Sequence, residues 1–113
     1  MNYTKGPWRI SGFEVGVGAS NRVVMGADGF SIAHVGERDA DENDANAHLI
    51  AAARELLEVA RIEQELHMGG YTKATAKRLG NEAMEAYAIG GVPFLNDWRR
   101  QKREAAIAKA ESR

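Results

Sequence analysis

Cysteine is absent from these 113 residues, and proline occurs only twice. Without a thiol there is no disulfide and no thiolate metal site. No apolar run approaches the ~20 residues that a membrane span needs. The opening "MNYTKGPWRI" lacks the apolar stretch of a signal peptide, so the expected location is the cytoplasm. A large charge of either sign is missing too. The formal net charge is -1, which exerts no global pull toward nucleic acid or an anionic membrane. Aromatics make up only 7% of the chain, so any cluster of them is informative.

What is present fits an ordinary globular domain. The apolar fraction is 44% and the charged fraction 27%. This length favours a single domain over residues 1–113, with a core of modest size. The 12 glycines fall mostly before residue 37 or in pairs at 69–70 and 90–91, so they punctuate the chain.

The chain changes character near residue 37. Before it, "WRI", "FEVGV", "RVVMG" and "FSIAHV" read as four short strands. "GASN" (18–21) and "ADG" (27–29) suit tight turns between them. Phe13, Val15 and Val17 share one face by the two-residue strand period. Phe30, Ile32 and His34 share one face of the last strand, opposite Ser31, Ala33 and Val35. The expectation is an antiparallel meander over residues 1–36, which needs a cover to be stable.

The cover is a long central helix over 45–67. Leu49, Ile50, Ala53, Leu56, Leu57 and Ala60 recur at helical spacing. The acidic run "ERDADEND" before it complements a helix dipole, and one of its residues is expected to cap the helix. The run lacks the glycine and closing glutamate of a calcium loop. Gly69-Gly70 stops the helix. Two further helices fill 72–113, one over 73–88 capped by Thr72 and weakened by Gly80, the other from Asn96 onward. The fold class is therefore α+β: a sheet of about four strands, a long central helix, then two C-terminal helices.

Enzyme chemistry finds little support. His34, His48 and His67 share no metal-ligand spacing, and a surface or capping role is the commoner one. None of the four serines sits in a nucleophile elbow. "GVGASN" has neither the lysine nor the following helix of a phosphate loop. No catalytic residue, metal or cofactor is expected.

The segment "FLNDWRRQKR" (94–103) carries the clearest binding chemistry. Arginine forks grip phosphate, and aromatic rings stack on bases. The candidate ligand-binding residues are Phe94, Asn96, Trp98, Arg99, Arg100 and Arg103, with Trp8 and Arg9 of "GPWRI" repeating the pairing. Against this stand a solvated helix face with Trp98 as its anchor, and a packing role for Trp8. Arg22 and Arg78 are further basic candidates.

"GPWRI", "NAHLIAAARELLEVA" and "AAIAKAE" together resemble a family of small phage and prophage accessory proteins. The resemblance covers both ends and the central helix, about a third of the chain. It departs at Arg54, where relatives commonly carry proline. The order of sheet then helices, with the aromatic, arginine and asparagine content, is also similar to phage anti-Thoeris sponge proteins. That likeness implies a non-enzymatic oligomer, in the cytoplasm of an infected host cell, that sequesters a cyclic nucleotide or ADP-ribose-derived signal. Trp8, Phe94 or Trp98 would stack on adenine, Arg99, Arg100 or Arg103 would hold phosphate, and Asn96 would read a polar edge.

Two other readings compete. An inhibitor could bind a host defence protein, such as a CRISPR effector, through the acidic segment 37–44, which would mimic nucleic-acid phosphates. A nucleic-acid-binding accessory protein could use the basic C-terminal helix, although the net charge of -1 opposes it.

Overall fold

A computed structural model of the protein describes residues 3–11, 22–36 and 39–111. In chain order they form β1 (Arg9–Ser11), β2 (Arg22–Met25), β3 (Ser31–Val35), α1 (Ala40–Ala51), α2 (Ala53–Gly69), α3 (Lys73–Leu79) and α4 (Asn81–Ala110). The class is α+β, as expected. The chain divides into two compact units, one of Met1–Arg54 with Ile107–Arg113, the other of Glu55–Ala106.

The first unit is the sheet and its helix. The strands lie antiparallel in the order β1-β2-β3. Ile10 stands opposite Val24, and Val24 opposite Ala33. Three strands are present among the described residues rather than four. The strand expected over 13–17 and the "GASN" turn lie outside the described residues. The "ADG" turn is present: Gly29 takes φ 85° and donates its N–H to the Gly26 carbonyl, and the Asp28 carboxylate accepts from the Phe30 N–H at 3.1 Å. Of the two faces of β3, that of Ala33 and Val35 points inward, while Phe30 is 75% exposed.

Val24, Val35, Ala47 and Ala51 form this core, with Trp8, Ile10, Ala33 and Ile50 packed around it. Alanines at 47 and 51 suit a helix laid close on a sheet, since only a methyl group stands between backbone and strand. The acidic run opens α1 rather than preceding it. Asp39 is the N-cap and accepts from the Glu42 N–H at 2.9 Å, and Asp41 and Glu42 lie in the first turn, where the helix dipole favours them.

The long helix expected over 45–67 is two helices. α1 ends at Ala51, and Ala52 caps it with its N–H turned to the His48 and Ile50 carbonyls. The break resets the buried face. In α1 that face is Asn43, Ala47 and Ala51; in α2 it is Ile62 and Leu66. Leu49 and Ala53, placed by the sequence on one continuous stripe, are exposed. Among the described residues, α1 is the helix that packs on the sheet.

The second unit is helical. Gly70, at φ 76°, closes α2 and donates to the Leu66 carbonyl, so the expected stop at Gly69-Gly70 holds. Thr72 caps α3 by accepting from the Thr75 N–H. The helix expected over 73–88 breaks at Gly80, whose φ of 117° is glycine territory. α4 then starts at Asn81 and bends at Gly91 (φ 68°, ψ -145°). The expected helix from Asn96 therefore begins earlier, in the first turn after the bend. Pro93 sits in that turn, where its missing N–H costs nothing. Ile62, Leu66, Ala76, Ala83 and Leu95 form the core, flanked by Tyr71, Leu79, Met84, Tyr87 and Trp98. Among the described residues no helix is long and apolar enough to cross a membrane.

Candidate functional site

The bend at Gly91 gives α4 two arms, 81–90 and 92–110. They lie side by side, because Glu82 on the first reaches Lys102 on the second at 2.9 Å. Between them runs an open groove of about 370 Å³. Glu82, Glu85, Ala86 and Ile89 line it from the first arm, and Phe94, Asp97, Trp98 and Gln101 from the second. Both sets have the spacing i, i+3, i+4, i+7, one stripe of each helix. The floor is aromatic and aliphatic, with three carboxylates along the walls. Among the described residues no lysine or arginine lines it.

Ile89 is 68% exposed and Phe94 47%. The two side chains stand on adjoining faces of the two arms. Phe94 lies tight against Gly90, where a Cβ would collide with its ring. Glycine at 90 thus sets how the ring enters the groove.

Three of the four cations of this segment are engaged by carboxylates of the same unit. Arg99 donates to Glu63 at 3.2 Å and to Asn96 Oδ1 at 3.1 Å, and its side chain is only 18% exposed. Arg100 pairs with Asp97 at 2.6 Å. Lys102 bridges Glu82 at 2.9 Å and Glu58 at 3.7 Å, with its ammonium 5.8 Å from the centre of the Trp98 ring. Hydrogen bonding and the charge of Lys102 hold the Glu82 carboxyl below its usual range, and the same bond raises the Lys102 pKa. The Trp98 indole N–H is buried without a hydrogen bond of good geometry, yet it is near enough to Glu82 to add a small lowering. Arg103 and Glu85 make no ion pair or hydrogen bond among the described residues.

A family model describing Salmonella phage P22 protein Y8K6 matches residues 1–113. The chain belongs to that phage protein family. No curated protein and no solved structure matches it.

The residues expected to bind a ligand are thus distributed between the two units. Phe94, Asn96, Trp98, Arg99, Arg100 and Arg103 belong to the second. Of these, only Phe94 and Trp98 line the groove, and Asn96 is bonded to Arg99 and lies 3.4 Å from the Tyr71 hydroxyl, which donates to it. Trp8 and Arg9 belong to the first unit. Trp8 packs on the sheet core and donates its indole N–H to the Thr4 carbonyl at 2.9 Å. Arg9 is exposed on β1, opposite Met25. The further basic candidates are paired, Arg22 with Asp44 and Arg78 with Glu65.

Sequence reasoning missed Glu82, Glu85, Ile89 and Gln101. The signal was available: two i, i+3, i+4, i+7 stripes flank "GGVP", and a glycine hinge between them can bring the stripes face to face. A second cavity, of about 430 Å³, is lined by Glu58, Arg61, Ile62, Gln64, Glu65, Arg78 and Leu79. Its Arg78 is held by Glu65 and Thr75. Among the described residues no group of three or more His, Asp or Glu side chains is placed to hold a metal ion.

Proposed function

We propose that this phage protein acts without catalysis, by binding a host protein through its second unit. The observation that carries the reading is the commitment of the basic residues: Arg99, Arg100 and Lys102 are each turned to a carboxylate of their own unit, leaving a surface of aromatic rings and acids. A nucleotide's phosphates would have to displace Glu63 to reach Arg99 or Asp97 to reach Arg100, and the carboxylates lining the groove would repel them. An aromatic floor with a polar, charged rim is instead the make-up of a protein interface. Membership of a phage family supports a target in the infected cell.

The sponge for a cyclic nucleotide or ADP-ribose-derived signal is the competing reading. It keeps Arg103, the one arginine of 94–103 without an ion pair among the described residues. The acidic segment retains a supporting role at most, since Asp39 is spent on the helix cap and Asp44 on Arg22.

Solution mass by light scattering, with thermal shift across a panel of cyclic nucleotides and cyclic ADP-ribose isomers, separates the two. The protein-binding reading predicts a melting temperature that no nucleotide moves. An oligomer whose melting temperature rises with one nucleotide would overturn it, because a ligand selective for the folded state stabilises by mass action.

A further inference from the structure

We propose that the groove between the two arms of α4 holds an amphipathic helix of a partner protein. Its apolar side chains would lie between Ile89, Phe94 and Trp98, and a lysine or arginine side chain against Glu85. The inference rests on the protein-binding reading above and names the kind of segment that is bound.

Three observations fix the occupant. The first is backbone chemistry. Both walls are helices whose N–H and C=O groups are bonded within themselves. An extended peptide would find no backbone partners there, whereas a helix brings its own backbone already satisfied. The second is shape. The walls are two stripes of matched helical spacing, so the groove offers ridges and hollows in the pattern that a third helix presents. A small molecule is usually enclosed on most sides, and this groove lies open to solvent.

The third is charge. Glu82, Glu85 and Asp97 line the groove with no cation among the lining residues. Glu82 is already engaged by Lys102 and Asp97 by Arg100, but Glu85 has no ion-pair partner among the described residues. A basic side chain beside the apolar stripe of the incoming helix would complete it. The unpaired charge also opposes a symmetric pairing of two copies groove to groove, which would bring no cation from the lining residues to Glu85.

The test uses the full chain and a labelled model helix of leucine, alanine and lysine with its leucines at i, i+3, i+4, i+7. A companion peptide carries glutamate in place of lysine. Fluorescence anisotropy should show the lysine peptide bound, more weakly at higher salt, and the glutamate peptide unbound. Glu85→Lys and Phe94→Ala should each weaken binding about tenfold or more while circular dichroism stays unchanged. Asp41→Lys, an equal charge reversal on α1, should leave binding unaltered. Equal binding of both peptides, equal weakening by Asp41→Lys, or no effect of Glu85→Lys and Phe94→Ala would overturn the proposal. So would a dimer that Phe94→Ala dissociates, because the groove would then be occupied by a second copy. A protein partner still held by both groove variants would sink the groove and leave the wider reading standing. A wild-type chain that binds no peptide and is stabilised by one nucleotide would sink both.

Discussion

Lys102 reaches Glu82 at 2.9 Å across the bend at Gly91, and its ammonium lies 5.8 Å from the centre of the Trp98 ring. One side chain thereby ties the two arms of α4 and braces an aromatic wall of the groove. Glu58, at 3.7 Å, brings α2 into the same contact.

This pairing makes stability depend on pH at both ends of the scale. The folded Glu82 carboxyl lies below its ordinary pKa, so its contribution is complete above the unfolded carboxylate value and is lost as pH falls through the folded one. The folded Lys102 lies above its ordinary pKa, so its contribution is complete below the unfolded lysine value and is lost as pH rises through the folded one. Glu82→Gln should therefore lower the melting temperature at neutral pH, with the difference from wild type shrinking in strong acid and strong alkali. Glu82 is 70% exposed, so solvent screening keeps the loss below about 1 kcal/mol. Thermal melts of both proteins from acid to alkali check this.

Gly91→Ala should destabilise the second unit. With φ 68° and ψ -145°, the position lies in a region that only glycine enters freely. The expected cost is about 1–3 kcal/mol, read from urea unfolding followed by circular dichroism.

Gly90→Ala should separate stability from binding. In an ordinary helix the change would gain about 1 kcal/mol. Here the new Cβ meets the Phe94 ring, which is half exposed and free to swing away. The expected result is stability close to wild type with clearly weaker binding of a basic helical peptide, measured by anisotropy and thermal melts on the same samples.

Leu95→Ala tests the core beneath the groove. Leu95 is fully buried with Ile62, Leu66, Ala76 and Ala83. Truncation should cost about 2–5 kcal/mol, seen as a lower denaturant midpoint. Thr72→Ala, by contrast, removes only a helix cap and should cost about 1 kcal/mol.

Local chemistry was legible in the sequence wherever it is decided by neighbours in the chain. Thr72 caps α3, Gly70 closes α2 and "ADG" turns the hairpin because each depends on a few adjacent residues. The break at Ala52 was not legible. Ala51, Ala52 and Ala53 all favour helix, so nothing in the sequence marks the point where α1 leaves the sheet and α2 joins another core. The exposure of Leu49 follows from that break. Gly80 reads in the sequence as a weak point and in the structure is a stop, since its φ of 117° lies outside any helix.

The site was half legible. Phe94 and Trp98 stand out in the sequence for their rings, and both line the groove. Arg99 and Arg100 stand out for their charge, but Glu63 and Asp97 meet that charge inside the unit. Glu63 stands far from Arg99 in the chain, so the pair is a product of folding. Glu85 and Ile89 carry only the helical spacing of their stripe as a signal, and that spacing gains meaning once Gly91 folds one arm of α4 beside the other.

The most direct test of the central claim is a photo-crosslinking experiment in infected cells, with benzoylphenylalanine in place of Phe94 and, as a control, in place of Lys77 on α3. The account predicts a light-dependent adduct from position 94 alone, mapped by mass spectrometry to a basic amphipathic helix of a host protein. Equal adducts from both positions, or none from position 94 while a nucleotide co-purifies with the protein, would contradict it.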